Sequence, residues 1–277
     1  MDDPMSPDVI AGGWLVGLLA VACMYAVRLF RQSDYSTWES CLYLPTYLMG
    51  RLLWRVYFTN QAPDALRTSG GVLAANHRSS VDPFFVQLAA RRRVHWMVAK
   101  EYCQHAAFGP LLRALQVIPT NRSGMDTAAT KTALRITQSG RLVGMFPEGR
   151  INQTSAPLLP LRAGAALVAC RSQVPIIPLW IDGSPLGKTV WSPLLMPARV
   201  KITFGQPIWP SADEGVTTSD GQSHVSADAE KNEPHTADLL TDSEALIVQW
   251  GQQVLTLANC ANVPVELAST RKRRNRP

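Results

Sequence analysis

The sequence predicts an α/β fold: a central, mostly parallel sheet flanked by helices, preceded by an N-terminal membrane-anchoring helix. Two observations lead there. Between residues 59 and 210, short β-like apolar runs alternate with helical ones, and residues 9–27 run for 19 positions without a charge. Alternating strands and helices imply layers of helix on a parallel sheet.

The strand candidates are residues 71–76 (GVLAAN), 94–99 (VHWMVA), 115–119 (LQVIP), 142–146 (LVGMF), 174–181 (VPIIPLWI) and 199–205 (RVKITFG). Between them, residues 83–90, 109–114, 125–139 and 163–171 read as helices. At the N-terminus, residues 9–27 form a helix of about 28 Å at ~1.5 Å per residue, close to a ~30 Å hydrocarbon core. A cleaved signal would need a basic leader, whereas Asp2, Asp3 and Asp8 stand there without Lys or Arg. Arg28 and Arg31 follow directly and place the remainder on the cytoplasmic face. Residues 35–58 then hold seven of the 21 aromatic residues, interleaved with Arg51 and Arg55. Rings with polar tips and long basic side chains suit the headgroup layer, with a core helix as the alternative. Pro45 is expected to kink or break that segment.

Charge is unevenly spread. Residues 211–244 carry nine acids and one base, so the rest of the chain is strongly basic although the net charge is only +6. Such an excess favours a polyanionic neighbour: nucleic acid, anionic membrane or phosphorylated substrate. Residues 211–240 hold almost no large apolar side chains and are expected to stay a disordered linker. A C-terminal amphipathic helix follows over residues 241–263, its stripe made of Leu246, Ile247, Trp250, Val254, Leu255 and Leu257. Residues 264–277 end in the basic run RKRRNRP, read either as a solvated tail or as attracted to anionic lipid. The organisation is thus an anchor and interfacial segment (1–58), a catalytic domain (59–210), the linker, the helix and the tail. Five cysteines without paired spacing indicate neither a disulfide framework nor a zinc site.

The chemistry concentrates at strand ends. After residues 71–76 comes N-H-R-S-S-V-D-P, with His77 in the turn and Asp82-Pro83 opening a helix. Extended, residues 77–82 would span roughly 16 Å, so only a folded turn can bring the two side chains together. An imidazole held at one nitrogen by a carboxylate, with the other nitrogen outward, suits a general base. Taken alone, the pattern leaves open that Asp82 simply caps the helix and His77 fills the turn. It is joined, however, by F-P-E-G-R, with Glu148, Gly149 and Arg150 after one β-like run, and by Arg122 after another. Arginine reads phosphate through a bidentate fork, and a neighbouring glycine admits close backbone approach. The run Arg91-Arg92-Arg93 reads chiefly as a solvated helix end, the pair Glu101 and His105 as a surface pair, and His95, His224 and His235 as without convincing partners.

With those residues assembled, the chain resembles the glycerolipid acyltransferase superfamily, of the 1-acyl-sn-glycerol-3-phosphate acyltransferase type. Four blocks match in order: residues 76–82, residues 100–122 ending in Arg122, residues 146–150, and residues 174–181. The resemblance covers residues 70–210. It implies acyl transfer from acyl-CoA or acyl carrier protein (acyl-ACP) to a lysophospholipid hydroxyl, with membrane lipids as partners and neither cofactor nor metal. It also implies that His77 is the base, that Asp82 orients it, and that Arg122, Glu148, Gly149 and Arg150 bind the glycerol-phosphate part. One departure matters. The commonest third block is F-P-E-G-T-R-S, whereas here Arg150 directly follows Gly149. This form resembles acyltransferases acting on 2-acylglycerophosphoethanolamine, so acylation of that or a lyso-ornithine-type lipid stands as an alternative. A non-catalytic, membrane-tethered lipid-binding protein is the alternative from another class, and nucleic-acid binding by the basic tail a third.

Overall fold

A computed structural model describes residues 11–18, 20–21, 24, 35, 37–106, 109–121, 126–187, 189–211 and 236–268. Among the described residues, seven strands make one sheet in the order β1-β7-β6-β2-β5-β3-β4. They are β1 (Tyr57–Phe58), β2 (Gly71–Ala75), β3 (Val94–Ala99), β4 (Ile118–Thr120), β5 (Leu142–Met145), β6 (Ile176–Asp182) and β7 (Lys201–Phe204). Every described pairing is parallel except β6 with β7. The expected α/β fold with a mostly parallel sheet is what forms.

Apart from the helical residues 11–18, the α-helices among the described residues are α1 (Thr37–Leu52), α2 (Ala65–Thr68), α3 (Asp82–Ala90), α4 (Lys100–Cys103), α5 (Gly109–Ala114), α6 (Thr127–Gln138), α7 (Gly164–Ser172) and α8 (Thr236–Leu257). β2 is buried along its whole length, which explains its unbroken apolar run. Side chains alternate across it. Leu73 and Ala75 join Trp54, Phe85, Val86 and Leu179 on one face. Val72 and Ala74 join Val143, Ala166, Ile247 and Trp250 on the other. Helices therefore cover both faces, α1 and α3 on the first, α6, α7 and α8 on the second.

Connectivity determines where a site can form. From β2 the chain passes through α3 to β3, beyond β5; from β5 it passes through α7 to β6, beyond β2. Adjacent strands whose connections leave in opposite directions over opposite faces open a crevice at their carboxyl ends. His77 and Phe146 follow those two strands.

Several details differ from the sequence expectations. α1 continues through Pro45. Interior proline costs ~3 kcal/mol, and packing on α3 offsets it: Tyr43 is buried, and at Gly50 the Leu88 side chain occupies the space a Cβ would need. The aromatic segment is divided, since Trp54 and Tyr43 belong to the core whereas Tyr57 and Phe58 lie exposed on the edge strand β1. That two-residue strand has too little pattern to read from sequence. α8 begins at Thr236, with Asp238 in its first turn, five residues before the expected start. Its predicted stripe is correct through Leu255, and Trp250 Nε1–H donates to the Ala74 carbonyl at 3.2 Å.

Residues 11–18 of the expected anchor are helical with exposed side chains, and the segment 9–27 is only partly described. Among the described residues no helix is long and apolar enough to cross a membrane. The acidic stretch 212–235 and the basic residues 269–277 lie outside the described residues. The run at 91–93 does more than end a helix. Arg91 adopts a left-handed conformation at the end of α3, and Arg92 donates to the carbonyls of Leu66, Ser69 and Gly140. Arg93 pairs with Glu39 of α1 and donates to Gln116.

Candidate active site

The turn after β2 folds back as the chemistry requires. Nδ1 of His77 lies 3.0 Å from Oδ2 of Asp82, whose side chain is fully buried while that of His77 is 15% exposed. The helix start differs from expectation in an instructive way. Val81 takes the N-cap position, Asp82 is the first helical residue, and no side chain caps α3. The Asp82 carboxylate is turned towards the loop instead. Its Oδ2 accepts the backbone N–H of Arg78 and of Ser79, each at 2.7 Å, and its Oδ1 accepts the Ser184 hydroxyl at 2.6 Å. A carboxylate receiving that many donors is an acceptor only, so Nδ1 of His77 carries the proton facing it. Nε2 is then the free lone pair.

Aromatic packing holds the imidazole plane. The His77 ring stacks on Phe146 with centroids 3.9 Å apart and planes 7° apart, and Phe146 stacks in turn on Trp96. The backbone of His77 is clamped at both ends: its N–H donates to Oε1 of Glu148 at 2.7 Å, and its carbonyl accepts the Asn152 N–H at 2.7 Å. Just before it, Asn76 bridges β2 to β6, donating to the Ile181 carbonyl and accepting the Ile181 N–H.

Glu148 therefore lies inside the site as a frame for the histidine backbone. Its second oxygen accepts the Leu159 N–H at 2.9 Å, tying the loop after β5 to itself. Burial pushes its carboxyl above the ordinary range, against the opposing pull of the His77 and Leu159 N–H groups. The chain turns sharply here, with Gly149 N–H donating to the Phe146 carbonyl. Gly149 has φ +67°, and a Cβ there would press on the Arg162 guanidinium at 2.9 Å. Glycine is needed for both reasons.

Of the six predicted site residues, the structure thus brings His77, Asp82 and Glu148 into direct contact and places Gly149 at the adjoining turn. Arg150 follows, exposed beside them, while Arg122 lies outside the described residues. Its neighbour Asn121 closes β4, where its N–H donates to the Asp126 carboxylate at 2.9 Å. Sequence reasoning missed Ser184, Asn76, Asn152 and the Phe146 stack. Asn76 stands in the quoted block, and Ser184 follows a predicted strand in the turn signal Asp182-Gly183-Ser184, so position alone could have flagged both. A cleft of about 280 Å³ opens beside the turn, lined by Arg78, Trp180, Asp182, Ser184 and Leu186 among others. The Arg78 guanidinium at its wall donates to the Thr154 and Ala156 carbonyls. Among the described residues no three His, Cys, Asp or Glu side chains are grouped to hold a metal ion.

Comparison with known proteins bears on this arrangement. The Acyltransferase family matches residues 55–182, which contain the turn, the framing glutamate and the strands carrying them. The 1-acyl-sn-glycerol-3-phosphate acyltransferase of Bacillus subtilis (strain 168) is 28% identical over 141 residues, 50% of this chain and 67% of that protein. The protein of the same name from Limnanthes douglasii is 29% identical over 140 residues, covering 50% of each. The chain thus spans about half the length of that plant relative. In fold, it resembles the crystal structure of the 1-acyl-sn-glycerophosphate (LPA) acyltransferase PlsC from Thermotoga maritima. The TM-score is 0.53 at 15% identity, covering 88% of this chain and 92% of that one.

Proposed function

We propose that this chain is an O-acyltransferase of the glycerolipid acyltransferase superfamily that acylates 1-acyl-sn-glycerol-3-phosphate, a reading supported by its Acyltransferase match over residues 55–182 and by its relatives. The acyl group comes from an acyl-CoA or acyl-ACP thioester, and the product is phosphatidic acid. The observation that carries this reading is the His77–Asp82 contact of 3.0 Å with Nε2 left free. Asp82 holds the Nδ1 proton, so Nε2 takes the proton of the acceptor hydroxyl as its oxygen attacks the thioester carbonyl. The new C–O bond forms, the C–S bond breaks, and the thiolate leaves with the proton that His77 returns. Ring stacking on Phe146 and the backbone clamp by Glu148 keep Nε2 aimed during both transfers.

Arg150, exposed next to the turn, and Arg122, beyond the end of β4, supply guanidinium groups for the acceptor phosphate. The direct Gly149–Arg150 junction favours a second reading, in which another lysolipid such as 2-acylglycerophosphoethanolamine or a lyso-ornithine lipid is the acceptor. The apolar segment 9–27 followed by Arg28 supports a reaction at the cytoplasmic face of a membrane in either case.

An acceptor panel tests this. Purified full-length protein and one radiolabelled acyl thioester are offered lysophosphatidate, lysophosphatidylethanolamine and lyso-ornithine lipid in turn. Product with lysophosphatidate alone supports the first reading, and product only with another acceptor replaces it by the second. His77→Ala should lower the rate about 100- to 10,000-fold while lipid binding remains. An unchanged rate removes His77 as the base.

A further inference from the structure

Among the described residues of the α/β domain, the two most exposed large apolar side chains stand at the catalytic edge of the sheet. Leu195 is 81% exposed and Leu52 is 76% exposed, and Leu186 and Trp191 are exposed with them. Leu52 ends α1, and the other three belong to the connection between β6 and β7. That connection begins at Ser184 against Asp82, is held at Val190 by the Ser80 hydroxyl at 2.7 Å, and ends with the Ala198 N–H on the Leu53 carbonyl at 3.1 Å. It therefore runs from the catalytic turn to the end of α1.

This connection is a built element. Thr189 and Ser192 bond reciprocally, each backbone N–H to the other's hydroxyl, and a 3-10 turn over Ser192–Leu195 follows with Pro193 buried beneath it. Its outward leucines are held out. Solvated leucines at such exposure signal a docking surface when they cluster. Basic groups flank the cluster: Arg51 over the Tyr47 ring, Arg199 over the Tyr57 ring, and Arg55 donating to the Ala198 carbonyl. Apolar tips with aromatic-braced arginines around them match the acyl region and the anionic headgroups of a bilayer.

We infer that the β6–β7 connection and the C-terminal end of α1 form an apolar lip that inserts into the bilayer surface and presents the His77 turn to an acceptor still embedded there. The occupant is a membrane containing anionic lipid. This rests on the lipid-acceptor reading, but its test has a readout free of activity. In the full-length chain, Leu195 is replaced by an environment-sensitive fluorescent amino acid. The control carries the same residue in place of Gln138, exposed at the opposite edge of the sheet. On phosphatidylcholine–phosphatidylglycerol vesicles, the 195 probe should shift to the blue and be quenched by nitroxide-labelled lipid, while the 138 probe stays unchanged. Equal responses at both positions, or none at 195, overturn the inference.

A second arm uses Leu52→Asp with Leu195→Asp. Turnover of a long-chain acceptor embedded in vesicles should fall on the order of tenfold or more, from two lost apolar insertions. Turnover of a short-chain acceptor dissolved as monomers should not change. Equal loss on both acceptors, or loss on neither, overturns the lip. If the 195 probe shifts without vesicles and the double variant turns a dimer into a monomer by light scattering, a second copy is the occupant and the inference fails. Absence of all acyl transfer in the unsubstituted protein sinks the proposed function, while the fluorescent probe still decides the lip.

Discussion

The two edges of the sheet solve one electrostatic problem with opposite signs. At the carboxyl edge, Asp82 and Glu148 are buried acids, and backbone N–H groups surround them. At the other edge Arg92 donates to three backbone carbonyls and Arg93 pairs with Glu39. A helix that connects two parallel strands starts at the carboxyl edge and ends at the amino edge, whereas α1, which leads to the reversed strands β1 and β7, runs the other way. Free N–H groups and the positive dipole end gather at the first, free carbonyls and the negative end at the second. Asp82 opens α3; the carbonyls that accept from Arg92 lie at and just beyond the ends of α2 and α6. Acids at the carboxyl edge hold the His77 ring and backbone, whereas arginines at the amino edge bind the helices together.

Substitutions can break or sharpen that contrast. The largest effect is expected for Asp82→Asn. The asparagine amide can donate to Nδ1 and turn the imidazole over to the other tautomer, so Nε2 no longer accepts a proton. Acyl transfer per folded molecule should fall roughly 100- to 10,000-fold, and stability should fall by about 1–3 kcal/mol because the buried Arg78 and Ser79 N–H groups lose a carboxylate acceptor. A rate within a few-fold of the parent would show that the carboxylate does not set the tautomer.

Arg92→Ala should do the reverse. Losing a guanidinium shared by three carbonyls should cost about 2–4 kcal/mol of stability in urea titration, while the rate per folded molecule stays constant. Arg92→Lys should restore only part of it, since one ammonium lacks the planar fork. A loss of turnover without loss of stability would erase the distinction between the edges.

The smallest effect concerns pH and Glu148. Its raised pKa means that the folded chain holds this proton more tightly than the unfolded chain does. The associated stabilisation is full below the ordinary carboxyl pKa and fades as pH rises through the raised value. The stability difference between the parent and Glu148→Gln should therefore be largest in acid and shrink towards neutrality. Urea midpoints measured across that range check the sign, and a difference that grows with pH would contradict it.

Much of the scaffold was legible because it rests on local pattern. β3 and α5 have the expected boundaries, and β2, β5, α6 and α7 lie within two residues of theirs. His77, Asp82 and Glu148 could be marked from their places at strand ends. The role of Asp82 could not be completed that way: a capping residue and an orienting carboxylate look alike in D-P, and the choice depends on Ser184, which is 102 positions away. The antiparallel direction of β7, whose strand was expected at 199–205, the edge strand β1 and the unbroken α1 were hidden for the same reason. Two residues make no period, and whether a helix tolerates Pro45 depends on Leu88 fitting over Gly50.

By itself, then, the sequence determined the alternation of strands and helices, the apolar faces and the residues offered to chemistry, since these follow from side-chain period and short-range backbone preference. Only the tertiary structure decided which of them meet. It turned Asp82 inward to His77, stacked the imidazole on Phe146, enlisted Glu148 as a backbone clamp and left Leu52 and Leu195 facing outward together. Those outcomes depend on contacts between distant segments, whose energies exist only once the sheet has brought its strands side by side.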